Sequence, residues 1–146
     1  MAMKQQVAVE LSTVITDNSD RDENTVKATG YFYPNQTMDV LTYEETTEDG
    51  LTVKNMLTLS YDKVSVKRTG PVSMYQQFRK QALTENVYQH PYGHIHMETF
   101  TRSISYQRLT DDENGKLVMS YKLKLNGADE RHHQLILTIQ PEEDVS

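Results

Sequence analysis

The feature that most constrains this chain is a strict alternation of apolar and polar residues. The alternation is clearest near the end of the sequence, at Leu117, Met119, Tyr121, Leu123 and Leu125. Successive side chains of a β-strand point to opposite faces of the sheet, so a period of two places this set on one face. Similar runs begin at Val7, Val26, Leu41, Val64, Ile95, Ile104 and Leu135. We therefore predict an all-β protein.

Short turns separate these runs. Gly, Pro, Asn or Asp recurs between them, as in Pro34-Asn35, Thr69-Gly70-Pro71 and Asn126-Gly127, and these residues favour turns. About nine to eleven strands with short connections predict a single antiparallel meander. Because strand twist accumulates, so long a sheet closes on itself or splits into two packed sheets. An up-and-down barrel is the favoured prediction, and a sandwich is the alternative.

Two positions fit the pattern less simply. Residues 74–83 contain Met74 and Phe78 four positions apart among good helix formers, which suits a short helix. We favour a strand, because Val72 continues the same parity. Gly30 lies inside a strand pattern, where a glycine indicates a bulge or a bend.

Size and composition exclude several classes of protein. The 146 residues suit one domain over 1–146, with an ordered core of about residues 4–140 and a polar tail at 141–146. A chain without cysteine has no disulfide, thiolate metal site or cysteine nucleophile. The net charge of −6 argues against nucleic acid as a partner, because such binding depends on neutralising phosphates.

No segment indicates a membrane partner or a cofactor. The longest apolar run, residues 135–139, has the length of a strand and is far too short for a membrane helix. The first residues lack the apolar stretch of a secretory signal, so we expect a cytoplasmic protein. Neither a phosphate-binding glycine loop nor a serine-nucleophile motif occurs. We predict no cofactor and favour a non-enzymatic protein.

Four stretches of the sequence occur in an order that resembles a known family. They are Leu41–Glu45, Val64–Gly70, Tyr92-Gly93 followed by Ile95–Thr99, and Leu117–Leu125. With this arrangement the chain is similar to the YwiB-like family of bacterial proteins, over about residues 4–140. The resemblance implies a calycin-like (lipocalin-type) β-barrel from a Gram-positive bacterium, and it brings no established activity or catalytic residues.

Arg68 is the most informative candidate residue. It continues the inward parity of Val64 and Val66, and a charged group inside a barrel must be paired. Glu45 is the predicted partner, because it shares a face with Leu41 and Tyr43. A guanidinium at the mouth of a barrel can bind a carboxylate or a phosphate through two hydrogen bonds. The structural alternative is an internal ion pair, or an arginine whose head reaches out to solvent.

Three tyrosines lie on faces that otherwise indicate core: Tyr43, Tyr106 and Tyr121. Aromatic rings with a polar tip are typical of small-ligand pockets, and they also fill ordinary barrel cores. We predict Arg68, Tyr43, Glu45, Tyr121 and Tyr106 as the ligand-binding set, with the core-filling role as the alternative. No catalytic residue is predicted.

The histidines offer a less favoured metal site. His94 and His96 share one strand face with Glu98, and His90, His132 or His133 would have to supply a third nitrogen. The apolar parity of Ile95 and Met97 places His94 and His96 on the solvent face, so the favoured prediction is no metal.

A basic cluster is compatible with single-stranded nucleic acid, which requires cations beside stacking rings. It consists of Lys63, Lys67, Arg68, Arg79 and Lys80, with Tyr75 and Phe78 nearby. The acidic net charge favours a solvated hairpin face instead. The leading functional hypothesis is a binding module for a small, partly apolar ligand with an anionic group in the barrel interior. The alternative is a structural or interaction protein that acts through its outer surface or as a homodimer.

Overall fold

Residues 4–142 form ten β-strands in one antiparallel sheet. The computed structural model describes residues 4–142. The strands are β1 (Gln5–Asp17), β2 (Asp20–Tyr33), β3 (Asp39–Thr46), β4 (Thr52–Leu59), β5 (Lys63–Thr69), β6 (Met74–Arg79), β7 (Ala82–His90), β8 (Gly93–Gln107), β9 (Gly115–Leu125) and β10 (Arg131–Pro141). Among the described residues no helix is long and apolar enough to cross a membrane.

The strand order makes the sheet a nearly closed barrel. It runs β6-β5-β4-β3-β2-β1-β10-β9-β8-β7, so the first and last strands pair with each other inside the wall. The barrel closes where β6 meets β7 and β8. Ser73 and Gln89 exchange two backbone hydrogen bonds of 2.9 and 2.8 Å, and the amide of Gln81 donates to the carbonyl of Thr101 at 2.7 Å. The predicted antiparallel barrel of nine to eleven strands is confirmed, and the sandwich alternative is wrong.

The segment that suited either a helix or a strand is extended. β6 ends at Arg79, Gln81 turns the chain with a φ of 56°, and β7 begins at Ala82. β8 is a single strand with a register shift between Thr101 and Ser103. This bulge changes the inward parity from Met97 and Thr99 to Ile104 and Tyr106, which is why the sequence shows two separate runs there.

The interior of the barrel follows the predicted parity. Leu117, Met119, Leu135 and Leu137 are buried, while Leu125, at the end of its strand, is exposed. The core also contains Val7, Phe32, Leu41, Leu57, Leu59, Val64, Phe78 and Ile139. Apolar contact among these residues supplies the main stabilisation of the barrel. Pro141 is the last residue of β10, and the rest of the predicted polar tail, from 143 onward, lies outside the described residues.

The wall opens between β2 and β3. These strands pair only through Gly30–Tyr33 and Val40–Tyr43, whereas β2 continues beside β1 as far as Asp20. The pairing of β2 with β3 ends at Gly30. A Cβ atom on Gly30 would lie 2.1 Å from the carbonyl oxygen of Thr42. The sequence predicts a bulge or a bend at Gly30, and the register between β1 and β2 is unbroken there, so no bulge occurs. The glycine permits a close approach of β2 and β3.

Candidate functional site

The barrel contains a cavity at the end where β2 and β3 separate. Its volume is about 260 Å³. The apolar part of its wall consists of Leu11, Val26, Leu57, Val66, Phe78, Leu117, Met119 and Leu135. The polar part consists of Asn24, Tyr43, Glu45, Asn55, Arg68, Gln76 and Tyr121. Four of the five predicted site residues therefore line one cavity, and Tyr106 does not.

The strand register brings the polar residues together. Tyr43 on β3 pairs with Asn55 on β4, which pairs in turn with Arg68 on β5. The three residues thus form one row across three strands and share the inward face. Glu45 lies two residues beyond Tyr43 on the same strand, so it reaches the same row from the side. Alternation along each strand and this register are sufficient to explain the cluster.

The hydrogen bonds of this cluster are long. Arg68 Nε donates to Asn55 Oδ1 at 3.2 Å, and Arg68 Nη2 lies 3.5 Å from Glu45 Oε2. Asn55 Nδ2 donates to Glu45 Oε1 at 3.3 Å. The side chains of Arg68 and Glu45 are each 26% exposed. Within residues 4–142, two of the five guanidinium N–H groups have partners, so the remaining donors are available to a ligand.

Two tyrosine hydroxyls complete the polar wall. Burial and, to a smaller extent, the charge of Glu45 raise the pKa of Tyr43 to about 12. The charge of Arg68 acts in the opposite direction. Burial alone raises the pKa of Tyr121 above its ordinary value. Tyr121 packs edge-on against Phe78, with ring centroids 4.8 Å apart, and stacks on His133 at 5.0 Å. Neither hydroxyl has a hydrogen-bond partner among the described side chains and backbone, so both are neutral groups able to bond a ligand.

Tyr106 lies at the opposite end of the barrel, in a cluster built around Asp39. Its hydroxyl donates to Asp39 Oδ2 at 2.6 Å, and Arg108 Nε donates to the same oxygen at 2.9 Å. The backbone amide of Asn35 donates to Asp39 Oδ1 at 3.0 Å. Burial and the bond to Asp39 raise the pKa of Tyr106 well above its ordinary value. Tyr106 therefore has a structural partner of its own.

Sequence reasoning missed Asp39 and Arg108. The signal was present, because Asp39 has the same parity as Leu41 and Tyr43, and Arg108 has the parity of Tyr106. A carboxylate at an inward position requires a partner for the same reason that Arg68 does. Asp39 is 1% exposed, so its burial is more complete than that of any predicted site residue.

The structure brings together only part of the predicted alternative metal site. His94 and His96 lie on the exposed outer face of β8. The structure groups His96 with Glu98 and Glu85, whose potential ligand atoms lie within 4.8 Å of one another, and His94 is not in that group. Of the other histidines considered, His132 is exposed and His133 points inward beside Tyr121.

The basic cluster does not form the surface that single-stranded nucleic acid requires. Lys63 and Arg79 are direct partners across β5 and β6. Phe78, however, is buried and lines the cavity, so its ring cannot stack on a base at that surface. Arg68 also points inward, away from Lys67.

Comparison with known proteins connects the chain to an uncharacterised group. Residues 9–137 match a family model described as a domain of unknown function (DUF1934). The uncharacterized β-barrel protein YwiB of Bacillus subtilis (strain 168) is 30% identical over 140 residues, which cover 94% of this chain and 96% of that protein. The crystal structure of the ywiB protein from Bacillus subtilis superposes with a TM-score of 0.84 at 26% identity, covering 96% of this chain and 94% of that one.

Proposed function

We propose that this chain, which belongs to the DUF1934 family, is a binding module whose barrel interior takes a small, partly apolar ligand with an anionic group. The observation that carries the proposal is the cavity of about 260 Å³ that combines an apolar wall with Arg68. Sites for drug-sized ligands typically measure about 300–1,000 Å³, so this ligand is small. Small barrels such as lipocalins use their interiors in this way, and we propose a calycin-like use here.

Arg68 is the proposed anion anchor. A guanidinium offers a planar pair of N–H donors that matches a carboxylate or a phosphate. The donors left without partners, together with the long bonds to Asn55 and Glu45, allow Arg68 to accept a ligand without large rearrangement. The hydroxyls of Tyr43 and Tyr121 supply further donors on the same wall.

The proposal assigns binding and no reaction. The charged residues that line the cavity are Glu45 and Arg68, and they neutralise each other. A nucleophile would have to stand beside a free general base, and the cavity wall offers Glu45 only in its ion pair. A cytoplasmic location and the absence of a cofactor are part of the proposal.

Calorimetry with a matched pair of small ligands tests this function. Hydrocinnamate carries a phenyl group and a carboxylate, and hydrocinnamamide is its uncharged counterpart. We expect the protein to bind hydrocinnamate at least about fivefold more tightly than the amide, because the charge-assisted bonds to Arg68 exist only with the carboxylate. Arg68→Met should remove the preference. Arg79→Met, on the exposed outer face of β6, should leave it unchanged.

Two results would contradict the function. Binding of neither compound would exclude the cavity as a site for ligands whose only charge is a carboxylate. An unchanged preference in Arg68→Met would show that a different cation recognises the carboxylate. Circular dichroism of each variant verifies that the barrel is intact.

A second candidate function, interaction through the outer surface, rests on a different observation. The outer faces of β2 to β5 form a groove of about 520 Å³ in which Tyr31 and Met56 are exposed. Exposed aromatic and methionine side chains are typical of interface cores. If this groove mediates homodimerisation, light scattering across protein concentrations should show a dimer that Met56→Ser weakens. A strictly monomeric protein would exclude the homodimer.

A further inference from the structure

We infer that the ligand of the cavity is a zwitterion of the amino-acid class, with a carboxylate bound by Arg68, a cationic nitrogen bound by Glu45 and an apolar side group. The inference rests on the proposed function and narrows it. Three features of the site carry it: the charge balance of the wall, the geometry of the ion pair and the distribution of apolar surface.

The charge balance of the cavity favours a ligand with both signs of charge. Arg68 and Glu45 are the two charged side chains that line it, and their charges sum to zero. A ligand that is only an anion would compete with Glu45 for Arg68 and leave an excess negative charge in a partly buried site. Uncompensated buried charge is costly. A zwitterion gives each side chain a partner of opposite sign and keeps the cavity neutral.

The geometry of the ion pair allows both side chains to receive a ligand. The two charged groups are 3.5 Å apart at their nearest atoms, and Asn55 bridges them at 3.2 and 3.3 Å. An ionised carboxylate has about four acceptor positions, and the described residues occupy one on each oxygen of Glu45. The carboxylate and the guanidinium thus present unused hydrogen-bonding positions side by side.

The remaining wall matches the other parts of such a molecule. Leu57, Leu117, Met119 and Leu135 offer an apolar surface to a side group. The hydroxyl of Tyr43, in the same row as Asn55 and Arg68, can donate a further bond to the ligand's carboxylate. A volume of about 260 Å³ suits a single amino acid with an apolar side chain.

Three ligands that share one apolar group separate this inference from simpler occupants. L-Phenylalanine carries both charges, hydrocinnamate lacks the ammonium, and phenethylamine lacks the carboxylate. By calorimetry we expect phenylalanine to bind at least about tenfold more tightly than either analogue, since each charge-assisted bond adds to affinity. L-Leucine, isocaproate and isoamylamine repeat the comparison with a smaller side group.

Variants assign each charge to its partner. Glu45→Gln should abolish the advantage of phenylalanine over hydrocinnamate, and Arg68→Met should abolish its advantage over phenethylamine. Glu44→Gln is the matched control, because Glu44 is the exposed neighbour on the same strand and points outward. It should leave all three affinities unchanged. Thermal unfolding of each variant verifies the fold.

The outcomes distinguish the inference from the proposed function. If hydrocinnamate binds as tightly as phenylalanine and Arg68→Met weakens both equally, the zwitterion is excluded while the anion-binding module stands. If phenethylamine binds most tightly, both the zwitterion and the anion-binding module are excluded. If no member of either ligand set binds, the binding module is excluded with it.

Discussion

The two ends of the barrel each contain an arginine, a carboxylate and a tyrosine, yet the two clusters differ in bond length and in the exposure of the carboxylate. Around Asp39 the hydrogen bonds measure 2.6–3.0 Å, and the carboxylate is 1% exposed, while the side chain of Arg108 is 38% exposed. Around Glu45 they measure 3.2–3.5 Å, and both charged side chains are 26% exposed beside a cavity. The same chemical groups therefore surround a buried and fully bonded carboxylate at one end and form an open polar wall beside a cavity at the other.

The tyrosines show the same difference. The hydroxyl of Tyr106 is bonded to Asp39, whereas the hydroxyls of Tyr43 and Tyr121 have no partner among the described residues. Among residues 4–142 the fully buried side-chain oxygen without a partner is Thr101 Oγ1, so the hydroxyls of Tyr43 and Tyr121 retain access to solvent. Beside a guanidinium with unused donors they form a wall that water or a ligand can complete. This contrast between the ends of the barrel can be tested by mutation.

The largest expected difference in the free energy of unfolding is between variants of the two carboxylates, Asp39 and Glu45. Asp39→Ala removes the acceptor of Tyr106, Arg108 and a backbone amide, and should lower the free energy of unfolding by about 2–4 kcal/mol. Glu45→Ala breaks long, partly solvated bonds and should cost less than about 1 kcal/mol. Urea unfolding of both variants measures the difference. Equal losses would show that the two clusters have the same structural role.

Stability should depend nearly as strongly on Gly30, where the pairing between β2 and β3 ends. Gly30→Ala places a methyl group 2.1 Å from the carbonyl oxygen of Thr42, so β2 and β3 must move apart. We expect a loss of about 1–3 kcal/mol in the free energy of unfolding. Thr29→Ala is the control. Thr29 is the exposed residue directly before Gly30, and its substitution should have little effect on stability. A stable Gly30→Ala variant would indicate that the close approach is not required.

Stability at the open end should depend on pH through His133. Burial, followed by the charges of Arg131 and His132, lowers the pKa of His133 to about 4, below its usual 6.5. The unfolded chain then binds more protons than the folded one between these values, so stability decreases as the pH falls from 6.5 towards 4. Allowing for the partial exposure of the ring, we expect a loss of roughly 1–2 kcal/mol.

Two histidine variants isolate this contribution. His133→Gln should flatten the pH dependence of the unfolding free energy in that interval. His94→Gln, on the exposed face of β8, should preserve it. A pH dependence that persists in His133→Gln would assign the effect to other groups.

The smallest expected difference concerns single hydroxyls. Tyr106→Phe removes a bond to a buried carboxylate and should cost about 1–2 kcal/mol. Tyr121→Phe removes a hydroxyl without a partner in the described chain, so its stability should change by less than about 0.5 kcal/mol. Chemical denaturation of the two variants compares them directly. A large loss in Tyr121→Phe would mean that its hydroxyl is already engaged.

Most of the barrel wall follows from local rules. Because side chains alternate along a strand, the inward positions of Arg68, Glu45, Tyr43 and Tyr121 could be predicted from parity alone. The same rule places Asp39, the first residue of β3, on the inward face with Leu41 and Tyr43.

The features that escaped prediction depend on contacts distant in sequence. Asp39 and Arg108 are 69 positions apart, and only the closure of the sheet brings them together. The bulge at Thr101 and Ser103 interrupts an alternation that sequence alone attributes to two strands. The gap between β2 and β3, which exposes the cavity, arises because these strands pair through only a few residues. The alternation of residues along a strand does not indicate how many of them pair with the neighbouring strand.

The most direct test of the account is to observe both arginines while a ligand is added. Side-chain Nε–H resonances of Arg68 and Arg108, assigned with Arg68→Lys and Arg108→Lys variants, can be followed by NMR during titration with hydrocinnamate. A binding site at the open end predicts a saturable shift of the Arg68 signal and a constant Arg108 signal. If the Arg68 signal stays constant, or if both signals move together, the distinction between the two ends is contradicted.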